Sequence, residues 1–175
     1  WEDVKAKFES QIEILQKSDL ANPRNQFYLA QAYNSAGKPL HAIAAYKKRI
    51  SMTGWDLEAI HSQLQIAKIY EVNGERDRAI MEMMKCYELQ GDVESLSELV
   101  RMLRLNSQYR SGILYGHALL KMEGMPRIQK LFNTNINWPL AYQEVGLCAF
   151  YTGNKVLAKK LWKRITRDKR SAKQL

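Results

Sequence analysis

The stretch Ala30-Gln-Ala-Tyr33-Asn-Ser-Ala-Gly37-Lys-Pro-Leu-His-Ala42-Ile-Ala-Ala-Tyr46 returns as Ala67-Lys-Ile-Tyr70-Glu-Val-Asn-Gly74-Glu-Arg-Asp-Arg-Ala79-Ile-Met-Glu-Met83. Ala30, Tyr33, Gly37, Ala42 and Tyr46 match Ala67, Tyr70, Gly74, Ala79 and Met83, all at an offset of 37 residues. Each copy sets a small residue, an aromatic one three positions on, a glycine seven on, a second small residue twelve on and a large one sixteen on. That order describes a helical hairpin. Two helices approach closely only where bulky side chains are excluded from the crossing, and large neighbours then fill the gaps beside it.

These intervals are those of the tetratricopeptide repeat, whose period is 34, so the offset of 37 implies about three additional residues. They are expected in the Met52–Trp55 connection ahead of Asp56. A degenerate third unit reads Val100, Leu103, Gly112 and Gly116, with Tyr109 opening its second helix, and a fourth recovers the pattern as Gly146, Gly153, Ala158 and Trp162. Between them, Met122 to Trp138 is rich in Gly, Pro and Asn (Gly124, Pro126, Asn133, Asn135, Asn137) and reads as an irregular connection of the kind that often carries function. Asn22-Pro23, Asp56 and Asp92 mark helix starts, and Gly37, Gly74 and Gly153 suit the turn after each first helix. Phe8, Ile12 and Leu15 fall at helical spacing and predict a leading helix that caps the first repeat. The expected fold is all-α, a tetratricopeptide-like right-handed superhelix of about four hairpins near 23–56, 60–93, 93–123 and 139–168, plus the leading helix. Residues 1–21 are expected to be a helix and linker from a longer protein, 22–168 the solenoid and 169–175 a basic tail.

A chain of 175 residues, 46% hydrophobic and 26% charged, is long enough for one domain without disulfides. No apolar run approaches the ~20 residues of a membrane span. Two cysteines, Cys86 and Cys148, with no Cys-x-x-Cys pair fit a reducing, cytoplasmic setting. The sequence opens on Trp1 with neither an initiator methionine nor a basic-then-apolar signal pattern, which reads as an excised piece of a longer chain. The net charge of +9 is unevenly placed. Lys155 to Lys173 hold nine basic residues against Asp168 alone, while the remainder balances 18 basic against 17 acidic residues. The basicity therefore belongs to a last helix and tail, where cations also favour the helix C-terminus, and the expectation is a solvated face ahead of an anionic contact.

No convergent catalytic set is present. His41, His61 and His117 are isolated, Glu75 and Asp77 suit a helix start, and there is no Asp-x-Asp pair or Gly-rich phosphate loop. Cys86 and Cys148 are expected to be buried and inert, and Met81, Met83 and Met84 to fill the core. No catalytic residue, metal ligand or cofactor is expected, and the chain is not expected to be an enzyme. Stacked hairpins bind on the face lined by the first helix of each unit. One position after the small residue gives the row Gln31, Lys68 and Arg101, and three further on gives Asn34, Glu71 and Arg104, with Arg24 and Phe27 near the start of the same face.

Asn22-Pro-Arg-Asn-Gln-Phe-Tyr-Leu-Ala-Gln-Ala-Tyr33, with Tyr46-Lys-Lys-Arg49 and Met52-Thr-Gly-Trp-Asp56, resembles the tetratricopeptide region that follows the catalytic domain of certain family-2, GT-A-type glycosyltransferases. The order of motifs continues as Arg101 to Tyr109, Leu131-Phe132, and Glu144 to Gly153. The resemblance implies a non-catalytic C-terminal module that binds a protein or glycan acceptor for an attached glycosyltransferase domain, with the nucleotide-sugar site upstream. The alternative is a free-standing adaptor capturing a peptide in its groove. A carboxylate clamp, which resembles a Lys and Asn set at fixed first-helix positions, is not expected because Phe27 and Gln31 stand there. Nucleic acid is not expected as a partner, because the basic tail lacks interleaved aromatics beyond Trp162.

Overall fold

The structure, a computed structural model, describes residues 2–54, 56–124 and 137–171. Among them the chain forms nine helices and no strand: α1 (Glu2–Gln16), α2 (Pro23–Ser35), α3 (Pro39–Ser51), α4 (Asp56–Val72), α5 (Arg76–Gln90), α6 (Val93–Leu105), α7 (Tyr109–Lys121), α8 (Trp138–Tyr151) and α9 (Lys155–Ser171). They fall into two compact units, residues 1–89 with α1 to α5 and residues 90–175 with α6 to α9. The four expected hairpins are α2/α3, α4/α5, α6/α7 and α8/α9, and α1 is the leading helix. Trp55, Leu131-Phe132 and most of the Met122–Trp138 connection lie outside the described residues. The helix of the basic segment runs to Ser171, past the boundary at 168 expected for the tail.

The starts follow the caps. Asn22 Oδ1 accepts from Arg24 N at 2.9 Å ahead of Pro23, Asp92 Oδ1 accepts from Ser95 N at 2.6 Å, and Asn137 Oδ1 accepts from Leu140 N at 3.2 Å. Each satisfies an amide that the first helical turn leaves without a partner.

All four hairpins close through the same three-residue turn. Lys38 N donates to Tyr33 O, Glu75 N to Tyr70 O, Gln108 N to Leu103 O and Asn154 N to Ala149 O, at 2.8–2.9 Å. This closure needs a left-handed residue just before the donor. Gly37, Gly74 and Gly153 supply it at φ 71°, 80° and 86°, and in the third hairpin Ser107 takes the position at φ 58°. The sequence reading had no residue for this turn, because a serine stands where the other repeats have glycine.

The crossings pack as the repeat requires. Ala30, Ala42, Ala67, Ala79 and Ala158 are buried, with Tyr46, Met83 and Leu161 beside them. Ile12 of α1 joins Leu29, Ala32 and Ala36 of α2, with Phe8, Leu15, Leu20 and Tyr33 around them, so α1 covers the outer apolar face of the first repeat. Met83 fills the core as expected, whereas Met81 is exposed on the other side of α5.

The third repeat is degenerate for a physical reason. A Cβ on Gly112 would stand 2.6 Å from Cys148 Sγ, and one on Gly116 would stand 2.8 Å from Val145 Cγ1. Helix α8 thus lies directly on a glycine flat of α7, where the earlier repeats carry Ala42 and Tyr46 or Ala79 and Met83.

The additional residues of the second repeat are a correction. Ala30 is the eighth residue of α2 and Val100 the eighth of α6, but Ala67 is the twelfth of α4. The surplus is taken up as one more helical turn at the start of α4 and not as a loop, because the loop-to-helix boundary at Asp56 leaves Asp56 and Glu58 in the first turn, where acids favour the helix.

Cys86 and Cys148 are both fully buried. Burial, aided by the Glu144 carboxylate and partly offset by Arg104, pushes the Cys148 thiol up to about 11. Neither thiol should react with an aromatic disulfide reagent at neutral pH in the native protein, and both should react promptly in denaturant. Rapid native labelling would contradict the packing of α8 on α7.

Ser107→Gly should raise stability by about 0.5–1 kcal/mol, since relief of the left-handed strain exceeds the added freedom of the unfolded chain. Gly37→Ala should lower it by about 1 kcal/mol. Urea unfolding of both variants reads the two signs.

Candidate functional site

In the first unit, α1, α2 and α4 enclose a cleft of about 340 Å³ over Tyr46 of α3. Its walls carry Gln11, Tyr28, Gln31, Asn34, His61 and Gln65, and Ala32 and Tyr46 form its floor. A second hollow of about 310 Å³ continues from it, sharing Asn34 and Gln65 and adding Lys68, Ile69 and Val72. The helices that face this strip, α2 and α4, are the first helices of the first two repeats, which the repeat arithmetic assigns to the binding face. Gln31 and Asn34 line the first hollow, and Asn34 and Lys68 the second.

Tyr28, His61 and Gln65 were missed, although the same arithmetic reaches them. Tyr28 and Gln65 each precede the small residue by two positions, and Arg24 and His61 each precede it by six. Gln65 Nε2 and His61 Nε2 lie 3.1 Å apart, linking two side chains on one wall of α4. The cleft presents mainly carboxamides and hydroxyls, with one imidazole and no carboxylate among its lining residues.

Phe27 does not line the cleft. It is 3% exposed, and its ring lies 5.9, 6.4 and 5.8 Å from the rings of Tyr28, Tyr46 and His61, so it supports the wall from beneath. Arg24 is half exposed, and its Nε reaches Glu58 Oε1 at 3.3 Å. The other oxygen of Glu58 accepts from Arg49 Nε at 3.2 Å, and both of these side chains are almost fully buried. Glu71, one turn beyond Lys68 on α4, is half-buried.

Amides secure the same helices. Gln26 Nε2 donates to Ala45 O at 3.2 Å and Gln63 Nε2 to Glu82 O at 3.1 Å, each from four positions before the small residue of one helix to three after the small residue of the next. The motif residues Arg24, Phe27 and Arg49 of the glycosyltransferase resemblance thus hold the first unit together.

In the second unit, Arg101 pairs with Glu98 one turn earlier at 2.9 Å. Arg104 is gripped by both oxygens of the buried Glu144, its Nη2 lying 3.1 Å from Oε1, and this contact raises the already high pKa of the guanidinium. A forked guanidinium matches a carboxylate in this way because both are planar. Arg164 is also engaged inward, donating to Glu123 Oε1 at 2.7 Å and lying 4.6 Å from the centre of the Tyr142 ring.

The architecture has solved counterparts. The chain matches the crystal structure of MamA with a TM-score of 0.73 at 16% identity, over 98% of this chain and 94% of that one. The fold is TPR-like. It also matches a kinesin light chain candidate of Podosopora anserina with nearly identical TPR-like repeats (0.72, 15% identity, 99% and 89% of the two chains). A third counterpart is YrrB, a TPR protein with an unusual peptide-binding site (0.65, 14% identity, 97% and 85%). No protein-family model and no curated protein matches the chain. At such identities the likeness carries the architecture, and the chemistry rests on the residues of the cleft. No helix among the described residues is long and apolar enough to cross a membrane.

Glu58→Ala leaves Arg49 buried without its carboxylate and should destabilise the protein by about 3–5 kcal/mol. Arg24→Ala, at the exposed end of the same cluster, should cost about 1 kcal/mol or less. Equal losses in thermal unfolding would contradict the burial gradient across the three residues.

Proposed function

We propose that the chain is a non-catalytic protein-interaction module and that the cleft of the first unit takes an extended peptide segment of a partner protein. The carrying observation is the pair of adjoining hollows that share Asn34 and Gln65. An extended backbone presents alternating N–H and C=O groups, and a carboxamide is the side chain that both donates and accepts. Gln31, Asn34 and Gln65 can therefore hold the backbone in either sense, while Ile69 and Val72 receive an apolar side chain and Lys68 an acidic one. The peptide-binding site named for YrrB supports the same use of this architecture. Arg24 and Glu71 are charged residues of the first unit on the same two helices, and Phe27 contributes only as packing.

The resemblance to the module behind family-2 glycosyltransferases supplies a finer reading, in which the partner is the acceptor, protein or glycan, of an attached catalytic domain in the cytoplasm. Its support is the motif order from Arg24 to Gly153, and a chain with only two cysteines, both buried, suits that compartment. Glycan-array binding that depends on Gln31 and Asn34 would favour it over a peptide ligand.

Selection of displayed peptides on the purified chain, followed by calorimetric titration, tests the first reading. Asn34→Ala with Gln65→Ala should weaken a selected peptide about tenfold or more, as two hydrogen bonds of about 1 kcal/mol each are lost, with little change in melting temperature. A peptide that binds parent and double variant equally would remove the cleft as the site.

A further inference from the structure

Helix α9 turns two different faces to its surroundings. Ala158 and Leu161 are buried in the second unit, while Lys155, Lys159, Lys160 and Lys163 are exposed. Among the described residues none of these four lysines pairs with a carboxylate, whereas the neighbouring Arg164 is committed to Glu123 and Tyr142. At the hairpin end where α9 begins, three apolar side chains stand out of the fold: Phe150, Tyr151 and Val156, at 44%, 59% and 83% exposure. Phe150 leans on Trp162 at 5.9 Å and Tyr151 stacks on Tyr109 at 4.6 Å, so the protrusion is braced by packing.

We propose that this surface docks on an anionic lipid bilayer, with the α9 lysines over the headgroups and Phe150, Tyr151 and Val156 entering the interfacial layer. Lysines near an anionic membrane each strengthen binding severalfold, and aromatic and aliphatic side chains favour the interfacial layer beneath. Neither component suffices alone, and here both stand at the start of α9, with Val156 directly after Lys155 and Phe150 and Tyr151 at the end of α8. The apolar face of α9 is already used in the fold, so the contact is shallow and reversible and needs no unfolding of the helix. Nucleic acid fits less well. The Tyr151 ring is stacked on Tyr109 and edge-on to Phe150, so it offers little face to a base, and Val156 would gain nothing from a phosphate backbone.

The test is co-sedimentation of the purified chain with vesicles of equimolar phosphatidylcholine and phosphatidylserine, and with vesicles of phosphatidylcholine alone. Binding is expected on the first, absent on the second, and reduced as salt rises. Lys159→Ala with Lys160→Ala and Lys163→Ala should weaken it about a hundredfold. Tyr151→Ser with Val156→Ser should weaken it about tenfold at unchanged charge. Circular dichroism confirms the helical fold of each variant. No sedimentation, equal binding to both vesicles, indifference to both sets of substitutions, or tighter binding to single-stranded RNA at the same salt would overturn the proposal. Cleft peptide binding measured alongside should stay unchanged in both variants.

Discussion

A three-residue turn leaves two antiparallel helices no room for bulky side chains where they cross, and the first, second and fourth repeats of this chain answer that limit with small residues on both helices. Ala30 with Ala42, Ala67 with Ala79 and Gly146 with Ala158 bring the backbones together, and the large residues four positions further along fill what remains. At Gly146 the limit is sharpest, since a Cβ there would meet Trp162 Nε1 at 2.5 Å. Close-packed interiors do not absorb such overlaps, so the crossing residues set the angle at which each hairpin opens. The cleft follows from that angle. Its carboxamides line an open strip because α2 and α4 stand apart over Tyr46.

Polar groups inside the first unit are arranged around the same crossings. Gln26 and Gln63 repeat one contact at one register, each tying a first helix to a main-chain carbonyl of the second. Burial of an amide is tolerable when it is hydrogen-bonded, and the bond then fixes the axial register of two helices that apolar packing alone would let slide. The buried Arg49–Glu58 pair has the same effect between α3 and α4 at greater risk, since either charge alone is strongly unfavourable in that place.

Helix number, hairpin pairing and the capping residues were legible because they depend on local spacing, which a sequence states directly. So was much of the cleft: Gln31, Asn34 and Lys68 were reached by counting from Ala30 and Ala67. What was missed depends on partners distant in the chain. Phe27 read as a groove residue because its helical position faces that way, and only Tyr46 and His61 from other helices reveal that it is covered. Arg49 entered only as the end of the motif Tyr46-Lys-Lys-Arg49, yet it lies seven positions after Ala42 and three after Tyr46, on the inward stripe of α3. Glu58 sits likewise on one stripe with Ser62 and Ile66. Two opposite charges on facing inward stripes were the available signal. Ser107 carried none, because the demand for a left-handed residue comes from the turn and not from the serine.

The longer start of α4 links two features that look unrelated. A repeat of ordinary length would begin about one turn later, and Glu58 belongs to the turn that it would lack. The additional turn and the buried carboxylate are therefore one structural feature. A lineage that trimmed those four residues would strand Arg49 inside the fold, and one that replaced Arg49 first would bury Glu58 beside an exposed Arg24 as its remaining support. Length and charge at this place are thus bound to change together, and relatives should divide into those with the long helix, the arginine and the glutamate, and those with none of the three.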